Sequence, residues 1–400
     1  MTGAVFVLPA TTSGEQGPVA AWVSTAGWAD AARRVLGQSW IVTPSGLVEP
    51  DVARTRGSAP HLASNAAPSW RRRVPVAVKT AAKDLRQWQR ARRFHVAPDG
   101  PWSSATLAFV WQRHELFHRA GIDLARALGV PSVLFVPATF VWEREQWGIA
   151  RPRWADTLER LGEQRALRAA DLVACGSSAV VEEVTRMGVP EAQTIITPTG
   201  VDLGLFEHVG DPGALRHRLG LDGEFVVGWV GSFRRFHAIE QAVEAMVGIA
   251  GATLLLVGDG PERPRIVDLA RSRKVNAVFT GTVPHDQLPR YLAAMDAALV
   301  IAASDARFHY SPLKLAEYLA AGLPVVAPRL GQPAVRLVDD VDAVLVEAGD
   351  VPAISAALRD LRDNPVRRAR IGRAARAAAE AAWSWDDQVR QVTAAVARGS

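Results

Sequence analysis

Cysteine is almost absent from this 400-residue chain, which holds only Cys175. An internal disulfide framework is thereby excluded, and a reducing, cytoplasmic setting fits the count. No basic stretch precedes the first apolar run, so residues 1–15 (MTGAVFVLPATTSGE) read as a first strand and not as a secretion signal. Long hydrophobic runs are missing too. The longest, near residues 129–142, is too short to span a bilayer and is broken by two prolines. Acidic residues are the minority charge, 41 Asp and Glu against 46 Lys and Arg, for a net charge of +5. Nucleic acid, a membrane surface or an anionic ligand would each suit that balance. Arginine far outnumbers lysine, which fits a coding bias, and no nucleic-acid partner is expected.

What is present is globular. Hydrophobic residues at 48% and charged residues at 22% suit buried cores, and the length makes two or three domains. Ten of the thirteen tryptophans fall before residue 155, so the two halves present different surfaces or do different jobs. The stretch 305–324, DARFHYSPLKLAEYLAAGLP, is the best-marked element. Ser311 is placed to cap a helix whose first residue is Pro312. Leu313, Leu315, Ala316, Leu319 and Ala320 repeat at helical spacing, and Gly322 and Pro324 end the run. Apolar strand-like runs precede it (297–302) and follow it (325–327). A helix N-terminus after a strand suits an anion. Lys314 lies in that first turn, and Glu317 lies near the apolar face, where a carboxylate needs partners. A solvated Lys and Glu at a helix edge is the alternative.

In the first half, apolar runs alternate with helix-like segments, which implies a parallel sheet. Loop 11–18 carries Gly14 and Gly17, where backbone can approach a ligand. Residues 44–75 read as a long loop rich in Pro, Ser, Ala and Gly. A basic helix follows, with Lys79, Lys83, Arg86, Arg90 and Arg93 on one face and Ala81, Ala82, Leu85 and Trp88 elsewhere. With Arg71–Arg73 it suits an anionic lipid or acceptor, or a plain solvated face. His114, Glu115 and His118 match H-E-x-x-H, a zinc-protease pattern that needs a helix and a third ligand. Glu143 and Glu145 lie across a strand and not on a following helix, so no metal is expected. Arg113 and His114 at a strand end suit ligand binding. The loop 137–148 combines Trp142, Glu143, Arg144, Glu145 and Trp147 after the strand 132–136, which suits hydroxyl-rich ligands.

Residues 199–223 are polar and turn-rich and read as a linker. Six strand-like runs then alternate with helices, a second doubly wound domain. Its strand-exit loops are GSFRRFHA (231–238), GDGP (258–261) and GTVPHDQL (281–288). GDG is not a dinucleotide fingerprint, since the third glycine and the acidic residue about twenty positions on are missing. Glycine and cationic residues gathered on the edge that holds Lys314 and Glu317 point to phosphate and ribose binding.

The segments TPTGVD, VGSFRRFH, LLLVGDGP, FTGTVPHDQLPRYLAAMDAAL and SPLKLAEYLAAGLPVVA together resemble the GT-B glycosyltransferases, in particular the retaining family-4 type. The likeness covers most of residues 170–385. It implies an α/β fold of two doubly wound Rossmann-like domains facing each other across a cleft. Residues 1–199 would bind the acceptor and 200–382 a nucleotide sugar, with 383–400 a helix crossing back to the first domain. The implied reaction moves a sugar from a nucleoside-diphosphate sugar to an acceptor hydroxyl with retention, without a cofactor, and with UDP put ahead of GDP. Glu317 would hold the ribose, Gly281 and Val283 the base, and Gly231, Ser232, Ser311 and Leu313 the diphosphate. Arg234, His237 and Lys314 would be the cations that stabilise the departing diphosphate, and His309 would face the donor sugar. Gly14, Gly17, Arg113, His114 and Glu143 would line the acceptor side. The acceptor is a saccharide, a lipid-linked saccharide or an aglycone, with peripheral membrane contact through 71–93. Three positions depart from the family pattern. His309 replaces the first Glu of the Glu–seven residues–Glu motif, Ser232 and His237 stand at the usual Arg and Lys, and Pro137 falls near the usual His. A sugar-nucleotide epimerase and a non-catalytic protein of the same fold are the alternatives.

Overall fold

The protein is described here as a computed structural model covering residues 2–9, 19–56, 75–146, 149, 151–303 and 312–399. It forms two compact units, Met1–Pro198 with Trp385–Ser400, and Thr199–Ser384. No helix among the described residues is long and apolar enough to cross a membrane.

The first unit is built on β1 (Thr2–Val7), β2 (Gly37–Thr43), β3 (Gly46–Val48), β4 (Thr106–Arg113), β5 (Ser132–Val136), β6 (Leu172–Cys175) and β7 (Thr194–Ile196). Their order is β3-β2-β1-β4-β5-β6-β7. Only β3 runs antiparallel, paired to β2 through a tight turn at Pro44 and Ser45. The central strands are apolar on both faces, as a sheet covered by helices on each side requires. The helix Val19–Leu36 joins β1 to β2, while β4 pairs on the other side of β1. That reversal of strand order marks where open α/β sheets bind ligands, at the C-terminal strand ends.

The second unit holds β8 (Phe225–Val230), β9 (Ala252–Val257), β10 (Ala277–Gly281), β11 (Ala297–Leu299), β12 (Val325–Pro328) and β13 (Val344–Val346), in the order β10-β9-β8-β11-β12-β13. All its pairings are parallel. Alternate side chains of each strand feed opposite faces: Leu255 and Val257 of β9 enter one core, Leu254 and Leu256 the other. The strand order reverses between β8 and β11.

Several boundaries differ from the sequence reading. Residues 44–56 are not loop but β3 and a short helix, Pro50–Arg56. Residues 199–223 fold into the second unit as a turn of 3-10 helix, Leu203–Phe206, and the helix Pro212–Leu219, each capped by an aspartate (Asp202, Asp211). The loop after β5 becomes the helix Phe140–Gln146. The last helix, Trp385–Gly399, packs in the first unit. Trp385 sits 5.8 Å from Trp28, in a notch left by Gly27, where a Cβ would come within 2.3 Å of the indole nitrogen.

Candidate functional site

The richest edge lies in the second unit, where the ends of β8, β9 and β10 meet the start of the helix Leu313–Ala320. That helix begins one residue later than its sequence signals suggest. Pro312 is extended (ψ 125°) and occupies the cap position, and no side chain caps the end. The amides of Leu313 and Lys314 therefore lack intrahelical acceptors. At the other end Gly322 is left-handed, and Leu323 and Gly322 donate to Tyr318 and Leu319 carbonyls, a Schellman closure. Tyr318, fully buried, accepts from the amide of Val230 at 2.7 Å, which ties the helix to the end of β8.

The β8 exit loop is pinned by Phe233, which is buried edge-on to Trp229. Backbone meets backbone here: Phe233 N–H donates to Asp259 O at 2.9 Å, and Gly231 N–H to Val257 O at 3.0 Å. Gly258 (φ +133°) has to be glycine, because a Cβ would fall 1.9 Å from Gly231 O. Gly231 leaves room in the same way for Lys314, whose Nζ would lie 3.0 Å from a Cβ at that position.

Lys314 rests its ammonium 3.9 Å from the centroid of the Trp229 ring. Burial pulls it down to about 7, with Glu317 opposing. His237 packs against Trp229 and Phe236 and faces Ser232 Oγ at 3.4 Å. Burial first, then Lys314 and Arg234, hold it down at about 2. That favours a neutral imidazole at His237, and either form of the ring can donate to a phosphate. Arg234 is exposed at the loop. Two cationic side chains, helix amides without intrahelical acceptors and a histidine held neutral give this edge a positive potential that suits an anion.

Glu317 is 6% exposed and meets His285 Nε2 at 2.7 Å. The partner that a carboxylate on this apolar helix face needs is thus supplied by the loop after β10. Gly281 ends β10 and Val283 packs half-buried on the core beneath. His285 was not marked by sequence reasoning. Its only signal was the polar side chain in GTVPHDQL, thirty-two positions from its partner. His309 and Ser311 lie outside the described residues, as do Gly14 and Gly17.

In the first unit, H-E-x-x-H falls at the end of β4 and in the turn beyond it, not on a helix. His114, 1% exposed at its side chain, meets Glu163 Oε1 at 2.9 Å. The same carboxylate accepts from the amides of Phe140 and Val141 at 2.5 and 2.9 Å, and so caps the helix Phe140–Gln146. His114 thus holds a helix start through Nε2, while its Nδ1 is buried with no hydrogen-bond partner among the described residues. Glu163 sits in a single π-turn, Arg160–Gln164, which sequence periodicity does not reveal. His118 is buried, edge-on to Phe94, and burial pulls it to about 4. No metal-binding group of His, Cys, Asp and Glu is found among the described residues.

Arg113 points into the β1/β4 reversal. It donates to Ser24 Oγ at 3.3 Å and lies 5.8 Å from the Phe135 ring. Burial pulls its pKa down, opposed by Glu115 and Glu143. Burial raises Glu115, against the pull of Arg113, and raises Glu143 to about 7, against Arg144 and Arg113. The guanidinium can donate to hydroxyls, and the two carboxyls within its electrostatic reach, ready to hold protons, can donate or accept.

Residues 224–364 match the family model described as Glycosyl transferases group 1. The matched stretch lies wholly within the second unit. The chain is 29% identical to a 2-deoxystreptamine N-acetyl-D-glucosaminyltransferase of Streptomyces fradiae, over 71% of this chain and 66% of that protein. It is 33% identical to a GDP-mannose-dependent alpha-mannosyltransferase of Mycobacterium tuberculosis, over 53% of each. The matches thus span about half to two thirds of these curated relatives. Among solved structures, Anabaena HepE in complex with UDP superposes with a TM-score of 0.63 at 17% identity, covering 99% of this chain and 100% of that one. A sucrose-phosphate synthase from Thermosynechococcus elongatus gives 0.67 at 20%, covering 99% and 98%. The fold is GT-B, with two parallel-sheet Rossmann-like domains.

Proposed function

We propose that this chain transfers a sugar from a nucleoside-diphosphate sugar to an acceptor hydroxyl, with retention at the anomeric carbon. The observation that carries the reading is the cationic helix start. Lys314 is stacked on Trp229 beside free amides, with a buried carboxylate, Glu317, one turn further on. In this reading residues 200–382 hold the donor. Leu313, Lys314, Arg234, Ser232 and Gly231 take the diphosphate, with Ser311 at the loop. His237 donates as a neutral ring. Glu317, oriented by His285, binds the ribose hydroxyls, and the backbone around Gly281 and Val283 holds the base. His309 faces the sugar. Charge that develops on the leaving diphosphate would be met by Lys314 and Arg234 more strongly than in the ground state.

Residues 1–199 hold the acceptor through Arg113, Glu143 and the newly recognised Glu115, with Gly14 and Gly17 at the loop before the first helix. Residues 383–400 complete that domain. The reading also carries a cytoplasmic location and contact of the 71–93 segment with a membrane surface. UDP stays ahead of GDP, although the M. tuberculosis relative is named for GDP-mannose.

The test is a thermal-shift panel of UDP, GDP, ADP and their sugars, with and without chelator. One diphosphate raising the melting temperature regardless of chelator supports the reading and names the base. No rise with any of them overturns it.

A further inference from the structure

The helix Val76–Ala91 is turned inside out. It docks on the first unit through small and polar residues: Thr80 and Asp84 are buried, and Ala77, Gln87 and Ala91 are half-buried. Asp84 is the anchor. It accepts from Arg151 Nε at 2.8 Å, Arg151 Nη2 at 3.0 Å and Trp154 Nε1 at 3.0 Å. The Asp84 and Arg151 side chains are 6% and 2% exposed. Removing one partner of such a buried pair leaves an uncompensated charge, so this contact fixes which face of the helix turns outward.

The outward face is apolar. Val78 is 55% exposed, Leu85 53% and Trp88 39%. At 3.6 residues per turn, Ala81 and Ala82 fall in the same sector. The neighbouring sector holds Lys79, Lys83, Arg86 and Arg90, with Arg93 just beyond the helix end. Among the described residues Lys79, Arg86, Arg90 and Arg93 enter no ion pair. Next to Trp88 a groove of about 380 Å³ opens, lined by Leu85, Phe117, Leu158, Leu161 and Arg165. A merely solvated basic face has no use for an exposed apolar sector beside it. Apolar and cationic sectors side by side are the pattern of a helix that lies in the plane of a lipid interface. A second copy of the chain is the poorer occupant, because a two-fold contact through this helix would set its cations against their own images.

We propose that this face docks on an anionic bilayer surface. Val78, Leu85 and Trp88 enter the headgroup boundary, the groove admits an acyl segment, and Lys79, Arg86, Arg90 and Arg93 meet lipid phosphates. The inference deepens the sugar-transfer reading by naming the surface where a lipid-linked acceptor is met. Its test does not pass through the donor site.

The full chain is pelleted with phosphatidylcholine vesicles, with and without phosphatidylglycerol. It is expected to partition onto the anionic vesicles only, and to release as salt is raised. The double variant Arg86→Glu/Arg90→Glu should bind at least about tenfold more weakly. Leu85→Ser/Trp88→Ser should lose about as much, because apolar contact is removed. Melting curves check that each variant folds. If the charge reversal unfolds the chain, Arg86→Gln/Arg90→Gln serves in its place, with a smaller loss in the same direction. Equal binding to neutral and anionic vesicles overturns the proposal, and so does undiminished pelleting of folded variants. A dimer on size exclusion that is lost in Leu85→Ser/Trp88→Ser also overturns it, in favour of self-association. A nucleotide-induced melting shift, run on the same samples, reports separately on the donor site. Its absence would sink the sugar-transfer reading and leave the vesicle result standing.

Discussion

The two units are built alike, yet their ligand-ready edges are opposites. Each has a doubly wound parallel sheet whose strand order reverses once, between β1 and β4 in the first and between β8 and β11 in the second. At the second reversal the lining is backbone and cation: loops locked by Gly231 and Gly258, free helix amides, Lys314 and Arg234. At the first it is side chains, with Arg113 in electrostatic reach of Glu115 and Glu143 and beside the Phe135 ring. The sheet supplies the place, and the residues at strand exits decide the ligand. In the proposed reading one edge takes an anion and the other hydroxyls.

The sharpest way to break this contrast is to remove the cation of the second edge. Lys314→Met is expected to lower kcat by about a hundredfold or more, the range seen when one preorganised electrostatic contact to developing charge is lost. Steady-state kinetics with the nucleotide sugar identified by the thermal-shift panel checks it, and an unchanged kcat would return Lys314 to a packing role. Next in size, Glu317→Ala should weaken nucleotide-sugar binding about ten- to a hundredfold by calorimetry, since hydrogen bonds to a charged group are lost. The fold should survive. Unchanged affinity would remove the ribose assignment.

His285→Ala should cost about tenfold in the same affinity, with little effect on kcat, because the ring orients Glu317 and would not touch the reacting atoms. His285→Gln, which keeps a donor, should recover part of it. A loss confined to kcat would contradict that positioning role.

Acidity sharpens the comparison further. Lys314 sits at about 7 in the free site, and a bound diphosphate would raise it. Binding above that pH must therefore take up a proton, so affinity is full below about pH 7 and falls by up to about tenfold per unit above it. In Lys314→Met that slope should vanish. The smallest effect belongs to the first edge. Glu143 is raised to about 7 when folded, so the unfolded chain releases that proton at lower pH than the folded one. Stability is then lost as pH rises from the ordinary carboxylate range to about 7. Glu143→Gln should melt higher than the parent above about pH 7 and equally at about pH 4. Equal melting throughout would show that Glu143 is solvated.

Much of this was legible in the chain itself. β9 and β12 are short apolar runs bounded by glycine or proline, and each folds as a buried strand. The helix at 313–320 carried its own stop signal in Gly322. Its start slipped by one residue, because Pro312 satisfies the first helical position and the cap equally well in sequence. His285 stayed hidden, since its role comes from a contact thirty-two residues away. Glu163 did too, because a π-turn breaks the spacing that periodicity relies on. The charge state of His237 depends on burial between Trp229 and two cations, which no local pattern records.

The notch at Gly27 has a consequence for how the protein is made. Its occupant, Trp385, comes from the last helix, and Arg34 clasps the neighbouring Asp386 at 2.6 Å. The first unit is therefore the last to be completed. Residues 199–384 can leave the ribosome and fold as a contiguous piece while the first sheet still waits for its closing helix, the reverse of the usual N-terminus-first order of synthesis-coupled folding. A nascent chain stalled before Trp385 would expose the face of Trp28 that this indole covers, and would lean on chaperones until residues 385–399 emerge.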